Sequence, residues 1–139
     1  MEKILVDICE YLILSTLNPR TLIQVVIQPI QDQGSILSAS VNAMVLALIN
    51  AGIPICSIVS SLTCCIDQEG ELLVDPDNSE IENAQSVHFF TFDCKTDEIV
   101  VSDSYGSTAA EEMFVNWVVK KFNYLLEWQL KKDYYTNSI

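Results

Sequence analysis

Apolar positions near the start of the chain recur at helical spacing, with Ile4, Ile8, Tyr11 and Leu12 on one face of residues 3 to 16. Ser15 takes the next position on that face, so the stripe weakens. Asn18-Pro19 then ends the helix, because the residue before proline is driven out of the α region. Thr21 to Gln28 lies between Pro19 and Pro29 and is rich in β-branched residues, the pattern of a strand. Gly34 marks a turn, and a second helix is predicted over residues 35 to 51, closed by Gly52 and Pro54. It carries no charge, which predicts burial on more than one side. Ala39, Ala43, Ala47 and Ala51 form a row of small side chains that would let it lie close on a sheet, with Leu37, Val41, Met44, Val45 and Leu48 as bulk beside them.

Strands are predicted over residues 56 to 66, 72 to 75, 86 to 93 and 98 to 102, with turns at Asp67-Gln68-Glu69-Gly70 and Lys95-Thr96-Asp97. Pro76 to Gln85 is polar and acidic and reads as a loop or short helix. Thr108 to Glu111 is a capping box opening a last helix, whose apolar face is Phe114, Val118, Phe122, Leu125 and Leu126. The expected architecture is α+β, a sheet with helices on one side, as a single domain over residues 1 to 132 with a polar tail over 133 to 139. A helix as apolar as 35 to 51 normally packs centrally and has few strands to pack on here, so part of the fold is expected to lie ahead of Met1.

Composition narrows the class. At 139 residues with 50% hydrophobic content, the chain suits one domain with a real core. The run Ala43 to Ile49 is too short to span a bilayer, and Glu2, Asp7 and Glu10 break up the first segment, against a signal peptide. Cys9, Cys56, Cys64, Cys65 and Cys94 are odd in number, sit in apolar segments and form no Cys-x-x-Cys pair, so they read as small buried hydrophobes in a reducing compartment. Nineteen acidic residues against 7 basic give a net charge of −12, and Arg20 is the one arginine. Affinity for nucleic acid follows the phosphates neutralised, so alone this chain should repel RNA and must borrow cations from partners.

Candidate chemistry is sparse. His88 is the one histidine and alternates with apolar neighbours in a strand, the setting of a structural imidazole, and no Gly-x-Ser-x-Gly elbow occurs. Asp75, Asp77, Glu80 and Glu82 form either a solvated acidic loop or paired carboxylates for a divalent metal, though not with EF-hand spacing. Asp32-Gln33-Gly34-Ser35, at the start of an uncharged helix, is either a simple cap or an anion site built on free N–H groups.

Several stretches together are specific. Asn18-Pro19-Arg20-Thr21 leads into Ile23 to Gln28, followed by Asp32-Gln33-Gly34-Ser35-Ile36-Leu37, Val41-Asn42-Ala43, Asn50-Ala51-Gly52-Ile53-Pro54 and Leu73-Val74-Asp75-Pro76. This series resembles the RNase PH family, and within it the ring subunits of the eukaryotic RNA exosome, from about Glu2 to Lys132. The resemblance implies the RNase PH-like fold (ribosomal protein S5 domain 2-like), a mixed sheet with helices, here truncated at its N-terminus. It implies assembly with other RNase PH-like subunits and RNA-binding cap subunits, RNA in the channel, no cofactor, and a place in the nucleus, nucleolus and cytoplasm. Catalytic relatives carry Gly-Thr-Arg at the turn before the second helix, the arginine holding the attacking phosphate. Gly34-Ser35-Ile36 stands there in this chain. Of the two family aspartates near the acidic loop, one position holds Glu80 and the other Ser86. Gly34, Ser35, Ile36, Glu80 and Ser86 are therefore expected to outline a vestigial phosphate pocket in a non-catalytic subunit. The alternatives are a free-standing homodimeric nuclease, with residual phosphorolysis or a metal held by Asp75, Asp77 and Glu80, and a small-molecule kinase of related fold using Gln33 to Ser40 as its phosphate loop.

Overall fold

The computed structural model describes residues 2–17 and 19–106, which belong to one compact unit, Met1–Ser107. Its elements run α1 (Glu2–Leu12), α2 (Ile36–Asn50), β1 (Val59–Ile66), β2 (Leu72–Val74), α3 (Asn78–Asn83), β3 (Ser86–Asp93) and β4 (Ile99–Gly106). The predicted last helix, the end of the expected domain at 132 and the tail over 133 to 139 lie outside the described residues.

The four strands form one sheet in the order β2-β1-β3-β4, with every neighbouring pair antiparallel. β1 and β3 pair along their full lengths, from Val59 opposite Asp93 to Ile66 opposite Ser86. Side chains alternate across a strand, so Val59, Ser61, Thr63, Phe89 and Thr91 share one face, and Leu62, Cys64, His88 and Phe90 the other. Both faces are buried at the centre of the sheet: Phe89 is 4% exposed and Phe90 0%. The first face meets the helices, where Ile8 and Leu12 of α1 join Val41, Met44, Val45 and Leu48 of α2 around Val59 and Phe89. This is the helical stripe expected for α1, and the helix closes one turn early. Beyond Leu12 the chain ties itself to the lead-in of β1, with Cys56 N–H donating to Leu12 C=O at 2.9 Å and Leu14 N–H to Pro54 C=O at 3.1 Å.

Asn42 locks α2 onto β1. Its side-chain amide donates to Ser61 C=O at 3.0 Å, and Ser61 N–H donates to its carbonyl at 2.9 Å. β2 covers β1 only from Cys64 to Ile66, so among the described residues the outer edge of β1 at Ser61 has no strand beside it. Asn42 supplies the donor and acceptor that a neighbouring strand would.

Five expectations need correction. Thr21 to Gln28 is extended but joins no ladder, because no strand among the described residues lies beside it. The alanine row of α2 does not face the sheet: Ala39, Ala43, Ala47 and Ala51 are exposed, with Leu46 67% exposed nearby. The close approach is made by Ser38 and Asn42 on the inward face, where Thr63 Oγ1 donates to Ser38 Oγ at 3.1 Å. α2 is therefore buried on one side only, despite having no charge. Cys64 and Cys65 are buried, but Cys56 and Cys94 are exposed because they fall just outside the strands, and all five thiols are free. β4 runs to Gly106, four residues past its predicted end, since its alternation of polar with larger residues continues opposite Ser86 to Phe89. The acidic segment holds a real helix, α3.

Candidate functional site: the turn before the second helix

The backbone at the start of α2 is sharply bent. Gly34 has φ of 111° and Ser35, the residue capping the helix, φ of 49°. Gly34 is needed for contact as well as for its dihedral: a Cβ there would collide with Pro76 C=O and lie 3.0 Å from Asp77 Cα. The turn and the acidic loop are thus clasped together. Ser35 Oγ donates to Pro76 C=O at 3.2 Å, Asn78 N–H donates to Gln33 C=O at 3.0 Å, and the Asn78 amide to Asp32 C=O at 3.1 Å. Ser35 makes no side-chain cap on α2. Its hydroxyl is spent on the loop, and what faces the turn is a carbonyl oxygen, which repels an anion.

The expected pocket residues separate into four settings. Gly34 and Ser35 sit in the clasp with Pro76 and Asp77. Glu80 is close in chain but committed to a reciprocal cap of α3: Asp77 N–H donates to Glu80 Oε2 at 2.9 Å and Glu80 N–H to Asp77 Oδ1 at 2.8 Å. The Ser79 hydroxyl on Asp77, with the Glu80 N–H, holds the Asp77 carboxyl below its ordinary value. Ile36 points elsewhere, into an apolar groove between α1, α2 and residues 23 to 29, of about 850 Å³. Ser86 lies on the sheet face away from α2, 2% exposed, with its hydroxyl 2.9 Å from His88 Nε2. The Ser104 hydroxyl is 3.0 Å from His88 Nδ1. Both ring nitrogens of the buried His88 are therefore engaged by hydroxyls, and the imidazole stacks on Phe90 with ring centroids 6.2 Å apart. This is the structural role its strand pattern indicates.

Among the described residues no three His, Cys, Asp or Glu side chains come close enough to hold a metal ion, so Asp75, Asp77 and Glu80 form no such group. The turn also fails as a kinase loop, since its one glycine is wedged against Pro76 rather than lining an open cradle.

One feature lay beyond reach of the sequence. Asp93 is 2% exposed and accepts from the Tyr11 hydroxyl at 2.7 Å, fastening α1 to the end of β3. Burial pushes its carboxyl up, but donors including Lys95 N–H and the Tyr11 and Ser57 hydroxyls outweigh this and leave it below the ordinary range. Tyr11 has helical spacing as a signal, but nothing in the sequence marks its partner 82 positions away.

With this geometry in view, likeness to known proteins carries the rest. The sequence pattern of the 3′ exoribonuclease family (RNase PH), domain 1, matches residues 1–54. The chain belongs to the RNase PH family. It is 32% identical over 110 residues to the exosome complex exonuclease RRP46 homolog of Arabidopsis thaliana, covering 79% of this chain and 45% of the relative. It is 38% identical over 74 residues to exosome complex component ski6 of Schizosaccharomyces pombe, covering 51% of this chain and 29% of the relative. The crystal structure of rice Rrp46 matches with a TM-score of 0.74 at 25% identity, covering 81% of this chain and 54% of that one. This RNase PH-family chain thus spans less than half the length of these curated relatives, and its α+β fold is theirs over the part that is shared.

Proposed function

We propose that this chain is a non-catalytic ring subunit of an RNA exosome, supporting 3′ to 5′ RNA processing and decay by assembling with other RNase PH-like subunits and RNA-binding cap subunits. Phosphorolysis brings an inorganic phosphate dianion against a phosphodiester, and like charges must be held together by cations while an acid assists the leaving oxygen. The observation that carries the reading is Ile36. Where the family resemblance puts a phosphate-holding arginine, this chain has a sec-butyl group that lines an apolar groove. A lost charge-assisted anion contact removes on the order of several kcal/mol of transition-state stabilisation. The remaining positions reinforce this: Ser86 is no acid, and the Glu80 carboxylate caps α3. The net charge of −12 fits a subunit that meets RNA only among cationic neighbours. The names of the relatives, exosome components, support the complex proposed. Its place would be the nucleus and nucleolus, and the cytoplasm.

Affinity purification of the tagged chain from its own cells tests this reading. Recovery of other RNase PH-like subunits in stoichiometric amounts supports it. Recovery of the chain alone, as a monomer or homomer, contradicts it.

A further inference from the structure

We draw no further inference here: the strongest candidate, the apolar groove between α1, α2 and the extended residues 23 to 29, carries nothing because nothing in the structure shows what covers it.

Discussion

Replacing Asn42 with leucine tests how α2 is held on the sheet. The leucine side chain is close in size but can neither donate to Ser61 C=O nor accept from Ser61 N–H, bonds of 3.0 and 2.9 Å in the native chain. Each hydrogen bond contributes about 0.5–1.5 kcal/mol net, and each backbone group left buried without a partner costs about 1–3 kcal/mol. Ser61 is 4% exposed, so water does not replace the lost partners and the larger figure applies. The expected loss is roughly 2–5 kcal/mol, a large share of the 5–15 kcal/mol that holds a typical domain together, to order of magnitude. Asn50 is exposed at the end of the same helix, so Asn50→Leu serves as a control and should change stability by about 0.5 kcal/mol or less. Urea unfolding followed by circular dichroism reads both, with the denaturant slope unchanged if the transition stays two-state. Amide exchange at Ser61 should rise in the Asn42 variant. Equal midpoints for the two variants would refute the idea that this amide completes the open edge of β1.

Three further outcomes are expected. Gly34→Ala should destabilise the chain by roughly 1–3 kcal/mol, because its positive φ and the collision with Pro76 C=O act together; unchanged thermal unfolding would show that the clasp is not formed. The Asp93 carboxyl sits below its unfolded value of about 3.9, so its contribution is complete above that pH and is lost as pH falls through the folded value. Tyr11→Phe removes one donor, and the gap in urea midpoint between it and the parent should therefore narrow on going from neutral pH to acid; a constant gap contradicts the link. Burial first, then the neighbouring Cys65, pushes the Cys64 thiol up to about 12, so iodoacetamide at mildly alkaline pH should label exposed Cys56 and Cys94 long before Cys64, as read by peptide mass spectrometry.

What was legible in the chain follows from which forces are local. α1 and α2 were readable because Ile8 and Leu12, or Val41, Val45 and Leu48, repeat at the spacing of a buried helical face. β1 and β3 were readable as apolar runs bounded by polar turns. The side of α2 that meets the sheet was not, because a helix apolar all round has no dominant face. The inward side is chosen by Ser38 and Asn42 finding partners on β1, a tertiary matter. Thr21 to Gln28 shows the complementary failure. Its β-branched pattern dictates an extended backbone, which it has, but a strand also needs a neighbour, and that lies outside any local pattern. Of the site, the Gly34-Ser35 turn and its closeness to the acidic loop were legible through family likeness. The commitment of Glu80 to a cap, and the pairing of Ser86 with His88 on the far face, depend on geometry that spacing alone does not carry.

The central claim is that a chain with Ile36 in this position gives no electrostatic help to an incoming phosphate. Purified chain, incubated with end-labelled RNA, inorganic phosphate and magnesium, should release no nucleoside diphosphate above a protein-free blank. Phosphate-dependent release that disappears on Ser35→Ala would contradict it.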